Sequence, residues 1–410
     1  MKNLKLLKVL GMILLGVIVL TWVIPSTEIN ASNVLERGSI NPIGLFDIFG
    51  SFDVLAQYFL RDSVLLLVVG MFYGVINKTG AYKVLVDKIS SKFKHIEKFA
   101  VVFSILVFTL IPALTNIYFP LFLIIPLFVN VLLNLGFNKK TVLLSTFASV
   151  LIGMSCNISN PIFLNMAEEG ANTFILFKAI FLLASLVLTI LFAIKTPKSK
   201  KTIKKEEVNE DNVIVPIKVE NPSKTKVSIL PLSIIIIVML ILFVLGLTKW
   251  NFDLFITMHS KIMGVNIKGF AIFKNILGGF NAFGSWSYGE LWTILISSSI
   301  AIGLIYKLKF KDFVEGAKEG IEKFLGIALI ISLINLIVVF TFNSGFLATV
   351  IELLTSKGNV ALTTLATIVS SPFVVDQTYV VNYTLTMIYY AAGENANMGL
   401  FALIGQLVFG

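Results

Sequence analysis

Residues 141–161, which read TVLLSTFASVLIGMSCNISNP, decide the fold. The apolar run from Thr141 to Met154 could form most of a membrane helix, but the stretch from Ser155 to Pro161 departs from helix chemistry. Polar backbone at membrane depth is tolerated only where it is buried in protein or lines a wet cavity. The stretch therefore predicts a helix that is interrupted inside a bilayer.

The composition of the whole chain is that of a membrane protein. Of its 410 residues, 57% are hydrophobic and only 14% are charged, whereas roughly a quarter are charged in soluble domains. The net charge of +10 lies in lysines between apolar stretches, where it orients a protein in the bilayer, so no nucleic-acid partner follows. Cys156 is the only cysteine, and His95 and His259 lie far apart, so neither disulfides nor a metal-dependent catalyst is expected.

The lysines between the apolar runs predict the topology. Lys2, Lys5 and Lys8 precede the run Val9–Pro25, which we expect to be a retained helix because the small-x-small cleavage pattern of a signal peptide is missing. The positive-inside bias places the N-terminus in the cytoplasm, together with the lysine-rich segments 78–98, 139–140, 195–226 and 307–323. We therefore predict a multi-pass protein of the cytoplasmic membrane.

The basic cytoplasmic linker 195–226 divides the chain into two membrane halves, 1–194 and 227–410. The first half contains two short apolar arms at about 99–137 that enter from the cytoplasm, and the second contains two arms at about 360–392 that enter from outside. Two halves of opposite orientation, each with a re-entrant hairpin and an interrupted helix, are typical of secondary transporters with a midplane site. The predicted fold class is an all-α polytopic membrane protein, with about 9–11 transmembrane segments in two inverted repeats.

The first candidate binding site combines the tip of the first hairpin with the break in the helix. Its residues are Thr115, Asn116, Ser155, Asn157, Ser159 and Asn160. Carbonyls and hydroxyls at helix breaks can replace the hydration shell of Na⁺, while half-helix N-termini attract an anionic group. The alternative is a proline kink in which the Ser and Asn side chains only satisfy freed backbone groups.

The second candidate site is the tip of the second hairpin. Its residues are Asp376, Gln377, Thr378 and Asn382. Asp376 is the one acidic residue inside an apolar hairpin, and an ionisable group at membrane depth is a functional hypothesis by default. It could bind Na⁺, carry a proton or pair with a cationic substrate, and the alternative is a hydrated carboxylate at the outer interface. Apart from Na⁺ or H⁺ as a coupling ion, we expect no metal and no cofactor.

Several blocks of the sequence resemble a known family. They are residues 21–25 (TWVIP), 42–49 (PIGLFDIF), 74–81 (GVINKTGA), 160–161 (NP), 313–318 (FVEGAK) and 325–330 (LGIALI). These blocks are similar to segments of the YfcC-type permeases, which are C4-dicarboxylate anaerobic carrier-like proteins. The resemblance implies the ion transporter superfamily, with a scaffold region, a moving transport region, two opposed hairpins, and cation-coupled or exchange transport. Relatives of this kind suggest a homodimer.

Two features differ from the family pattern. Residues 378–382 read TYVVN, whereas the family has a Ser/Gly-rich tip that ends in Gly-Gln. The last apolar run, 400–410, is long enough to cross only half of the membrane. A complete carrier and a carrier truncated at its C-terminus are both consistent with this length.

The functional prediction is a secondary active transporter that moves a small organic anion or amino acid by alternating access. It is coupled to Na⁺ or H⁺ or works by exchange, and it has no catalytic residues. The lack of Arg or Lys in the apolar hairpins weakens the case for a carboxylate substrate. A basic amino acid exchanger of the same fold and a degenerate, non-transporting protein are the alternatives. A membrane enzyme would need clustered acids or histidines, and a channel would need a filter or a charge ring, and neither pattern is visible.

Overall fold

The computed structural model describes residues 2–30, 34–115, 118–160, 163–165, 171–196, 227–250, 252–355, 359–371, 380–392 and 397–409. Nearly all of this part of the chain is helical, which confirms the predicted all-α class. The first ten helices are α1 (Lys2–Val23), α2 (Asp47–Gly50), α3 (Phe52–Tyr58), α4 (Val64–Lys78), α5 (Ala81–Phe93), α6 (Glu97–Leu114), α7 (Phe119–Asn134), α8 (Lys139–Leu143), α9 (Ser149–Ser155) and α10 (Ala171–Lys195).

The remaining helices follow the linker. They are α11 (Leu230–Leu247), α12 (Leu254–Met263), α13 (Ile272–Leu277), α14 (Tyr288–Ile305), α15 (Phe310–Asn343), α16 (Phe346–Thr355), α17 (Val360–Ser370), α18 (Thr386–Ala392) and α19 (Met398–Phe409). Short π-helical segments occur at Phe59–Ser63, Leu144–Ala148 and Val380–Leu385. Two antiparallel ribbons complete the described structure, β1 (Thr27–Ile29) with β2 (Leu35–Arg37), and β3 (Asn266–Ile267) with β4 (Phe270–Ala271).

Six described helices are long and apolar enough to cross a membrane. They are Leu6–Val23, Glu97–Leu114, Asn172–Lys195, Leu230–Leu247, Tyr288–Ile305 and Phe310–Asn343. Helices α4 and α5 together form a seventh candidate, bent by 88° at its centre, and α7, α16, α17 and α19 are shorter apolar helices. The chain is thus a polytopic helical protein, while the inverted relation of its two halves stays a prediction.

The bend between α4 and α5 follows from the residues at the joint. Gly80 has a φ of 71°, which is the left-handed region that glycine adopts without steric cost. Thr79 donates its hydroxyl to the carbonyl of Ile76 and accepts a hydrogen bond from the backbone N–H of Ala81, at 2.6 and 3.1 Å. The end of one helix and the start of the next are therefore both satisfied at the turn.

The two halves of the sequence meet where α4 crosses α15, and glycines make the contact. Gly70 and Gly74 of α4 face Gly316 and Gly320 of α15, so that a Cβ added at Gly74 would lie 2.0 Å from the carbonyl oxygen of Gly316. Small residues spaced by four allow helix backbones in a membrane to approach this closely. Gly74 and Gly316 belong to two of the family-like blocks, which are thus in contact although far apart in sequence.

The ends of α15 show which segments share a side of the bundle. Near its start, Lys78 Nζ lies 3.0 Å from Glu319 Oε1, so the lysine-rich segments 78–98 and 307–323 are in contact at this point. Beyond its other end, Asn41 donates its side-chain N–H to the carbonyl of Asn343 at 3.0 Å. The segment after α1 therefore lies at the opposite end of α15.

The buried apolar residues form two clusters that do not follow the order of the sequence. One cluster joins α4–α10 with α11 and α14, and the other joins α1 with the C-terminal part of α15 and with α16, α18 and α19. Helix α15 contributes Phe324 to the first cluster and Ile330 to the second. This long helix thus connects the two packed groups of helices.

The second half contains a short apolar helix that the sequence pattern did not predict. Helix α16 begins at Phe346, immediately after Gly345 turns the chain with a φ of 68°, and it packs against α17 and α18. The predicted arms of the second hairpin correspond to α17 and to residues 380–392, and the tip between them, 372–379, lies outside the described residues. Most of the linker, 197–226, also lies outside them.

Candidate functional site

The predicted break follows α9. That helix ends at Ser155, and residues 156–160 are not helical. The helix approaches α6 closely before it ends, because a Cβ added at Gly153 would lie 2.4 Å from the carbonyl oxygen of Thr109. The break therefore lies directly against the end of α6, which forms the first arm of the predicted hairpin.

Asn157 joins the break to the tip of the first hairpin. Its side chain is 2% exposed, and its Nδ2 donates to the carbonyl oxygens of Pro112 and Thr115 at 2.6 and 2.8 Å. The backbone N–H of Ile158 adds a third bond, to the carbonyl of Ala113 at 3.0 Å. The end of α6 leaves these carbonyls without helical donors, so the break supplies the donors that α6 lacks.

The same side chain also shapes the unwound segment. Asn157 Oδ1 accepts hydrogen bonds from the backbone N–H and the hydroxyl of Ser159, at 2.8 and 3.2 Å. This bond two residues along the chain is the turn that Asn side chains favour. Asn157 thus acts as a positioning residue in the described structure.

Lys178 of α10 lies at the same break. Its side chain is fully buried, its ammonium Nζ donates to the carbonyl oxygen of Ser155, and it lies 5.5 Å from the centre of the Phe174 ring. A lysine ammonium has three N–H donors, and Ser155 accepts one of them. Within the described part of the chain, no acidic side chain forms an ion pair with Lys178.

A second helix reaches the break from the C-terminal end of the chain. Gln406 of α19 is fully buried, and its Nε2 donates to the carbonyl oxygens of Asn157 and Met154 at 3.2 and 3.5 Å. Its Oε1 is buried without a hydrogen-bond partner among the described residues. Lys178 and Gln406, from two different helices, therefore donate hydrogen bonds to three carbonyls at and just after the end of α9.

The residue before Gln406 lies beside the flanks of the second hairpin tip. A Cβ added at Gly405 would lie 3.3 Å from Val380 Cγ1 and 3.5 Å from Ser371 Oγ. Ser371 and Val380 are the last and first described residues around the tip that contains Asp376. Helix α19 thus brings the base of the second hairpin tip next to the break in the first half.

The structure brings some of the predicted site residues together. Thr115, Asn157 and Ser159 are connected by the hydrogen bonds given above, and Asn160 is buried at the end of the break. The hydroxyls of Thr115 and Ser155 donate to carbonyls one turn earlier, at Ile111 and Leu151.

Other predicted site residues are separate from the break or cannot be placed. Asn382 lies exposed on the π-helical segment Val380–Leu385. Asn116, Asp376, Gln377 and Thr378 lie outside the described residues. Binding of a ligand by any member of either set stays a prediction.

Sequence reasoning missed Lys178 and Gln406. A signal for Lys178 was present, because it is the only charged residue between Phe174 and Ile194, and ionisable groups inside such runs are functional candidates. Its position also removes the argument that the site lacks a cation for a carboxylate. No local pattern marks Gln406, since its contacts join residues about 250 positions apart.

The fold and the site together define a class of protein: a polytopic helical membrane protein whose interrupted helix holds buried polar groups and a buried cation. The sequence model of the C4-dicarboxylate anaerobic carrier (DcuC) family matches residues 63–375, and the chain belongs to this family. It is accordingly a membrane carrier rather than an enzyme. Neither a curated protein nor a solved structure matches the chain.

Proposed function

We propose that the protein is a secondary carrier of C4-dicarboxylates and similar small organic anions, which holds its substrate beside the break after α9. The hairpins and interrupted helices move against a scaffold to alternate access, as in the YfcC-type branch of the ion transporter superfamily. Transport is coupled to Na⁺ or H⁺ or proceeds by exchange. The carrier functions as a homodimer in the cytoplasmic membrane, with its N-terminus in the cytoplasm.

The observation that carries the proposal is the buried ammonium of Lys178 in a chain of this family. A buried charge without an opposite partner is costly, and an anion that enters the site relieves this cost. Two of the three ammonium N–H donors lack a described acceptor, which leaves them for a substrate carboxylate. The positive charge thus favours an anionic substrate at this position.

The same charge argues against the basic amino acid exchanger. A cationic side chain that approached the break would be repelled by Lys178 at short range in a medium of low dielectric constant. The degenerate, non-transporting protein is addressed by the uptake experiment below, because it predicts no transport of any substrate.

The test is uptake of labelled succinate and labelled arginine into proteoliposomes. Inward Na⁺ or H⁺ gradients, and preloading with unlabelled succinate, separate the forms of coupling. We expect succinate uptake above that of protein-free liposomes and arginine uptake at background. Uptake of arginine without succinate would favour the exchanger, and no uptake of either under any condition would favour the degenerate protein.

Two lysine variants show whether the buried ammonium is involved. Lys178→Met keeps an unbranched side chain of similar length but removes its charge, and it should abolish most of the succinate uptake. Lys195→Met is the matched control, because Lys195 lies exposed at the end of the same helix. Equal uptake by both variants would refute a role for the buried charge.

A further inference from the structure

The carbonyls at the end of α9 are the groups that would bind a cation at a helix break. The last carbonyls of a helix carry partial negative charge, and interrupted membrane helices use them to coordinate Na⁺. In this chain, however, three of the carbonyls around the break already accept a hydrogen bond from a side chain. Ser155 accepts from Lys178, and Met154 and Asn157 accept from Gln406.

The donor to Ser155 is itself a cation. Its ammonium lies on the carbonyl end of α9 and faces the Phe174 ring, both of which favour a positive charge. A sodium ion that bound the same carbonyl would stand next to a like charge inside the protein, where screening by water is weak. The ammonium and a sodium ion are therefore alternatives at this position.

We infer that Lys178 is the resident cation of the break, which takes the place of a bound alkali ion at the end of α9. The inference rests on the proposed carrier function in one respect: the resident cation is also the positive charge that attracts the anionic substrate. It concerns this break alone and does not depend on a coupling site in the second hairpin. It predicts that removal of the ammonium creates a vacancy that a small monovalent cation can fill.

The experiment compares the thermal unfolding of detergent-purified variants in NaCl and in choline chloride at equal ionic strength. Lys178→Ala leaves space for an ion and should have a lower Tm than the wild type in choline, with a gain of about 3 °C or more in NaCl. Lys178→Met fills the space with an apolar chain and is the matched control. Its Tm should respond to NaCl to the same extent as that of the wild type, because any Na⁺ site elsewhere in the protein is common to both, and the gain expected of Lys178→Ala is counted beyond that response.

Two results would overturn the inference: a Lys178→Ala variant whose Tm responds to Na⁺ no more than that of the wild type, or an equal response in Lys178→Met. Lys178→Ser leaves similar space with an added hydroxyl oxygen, and it replaces the alanine variant if that variant does not fold. The Tm readout needs no transport. A protein that fails to take up succinate but shows the expected Na⁺ pattern therefore refutes the proposed function and not the resident cation.

Discussion

At the scale of single residues, Asn157 shows what the sequence pattern predicts and what only the structure reveals. The run of polar residues at 155–161 predicts a break at this position, and the break is present. The sequence could not decide between a ligand-binding amide and one that satisfies freed backbone groups, because both use the same residue type. The bonds to Pro112, Thr115 and Ser159 support the second role in the described conformation.

We predict that Asn157→Ala lowers the stability of the protein. Two carbonyls and one backbone N–H lose their partner in a buried site, and the expected cost is about 2 kcal/mol or more. The measurement is the Tm of the purified protein in detergent. Asn382→Ala is the control, because this exposed side chain should leave the Tm unchanged. Equal Tm values for Asn157→Ala and the wild type would contradict the positioning role.

Asp376 yields a second prediction at this scale. Its place in an apolar stretch of the sequence that we predict to be a hairpin, with Ser371 and Val380 on either side beside Gly405, makes it a candidate for ion or proton coupling. We expect Asp376→Asn to reduce succinate uptake or to remove its dependence on pH or Na⁺, as measured in proteoliposomes. Asp47→Asn, at an exposed position, is the control. Unchanged uptake kinetics in Asp376→Asn would make Asp376 a surface residue.

At the scale of elements, the crossing of α4 and α15 shows what the sequence does and does not reveal. Apolar runs and terminal lysines predict both helices, and the paired glycines are visible in the sequence. That Gly70 and Gly74 pack against Gly316 and Gly320 could not be predicted, because partner choice depends on the arrangement of all the helices. Helix α16 was missed for a related reason, since ten residues are too few to stand out as a membrane span.

The glycine crossing leads to a prediction about Gly74. Gly74→Leu would force side-chain atoms into the backbone of Gly316, where even a Cβ has no room, and should cost about 3 kcal/mol or more. Gly16→Leu in α1 is the control, because no atom lies within 4 Å of a Cβ added there. The measurement is the yield and Tm of monodisperse protein. A Gly74→Leu variant as stable as Gly16→Leu would show that the helices do not cross here.

At the scale of the whole molecule, helix α19 connects the break with the described base of the second hairpin tip, Ser371 and Val380. The inverted halves predicted from charge would bring two hairpin tips toward one centre, and Gly405 and Gln406 lie between the break and the base of the second tip. The sequence predicted the two sites but not what connects them. The information was absent because α19 follows the last predicted hairpin, and its role depends on tertiary packing alone.

The contact between α19 and the break predicts the effect of Gln406→Leu. The substitution keeps approximately the same volume, but it removes the donor to the carbonyls of Met154 and Asn157. We expect succinate uptake to fall by about tenfold, whereas the protein remains folded because the loss is about 1–2 kcal/mol. Uptake is normalised to the amount of folded protein in the liposomes. Wild-type uptake in Gln406→Leu would show that α19 does not support the site.

The central claim is that the buried ammonium of Lys178 holds the substrate anion at the break. Its most direct test is equilibrium binding of labelled succinate to detergent-purified wild type, Lys178→Met and Lys195→Met. The account predicts saturable binding by the wild type and Lys195→Met, and a Kd raised by about tenfold or more in Lys178→Met, as expected for a lost charged hydrogen bond. The same Kd in all three proteins would contradict it.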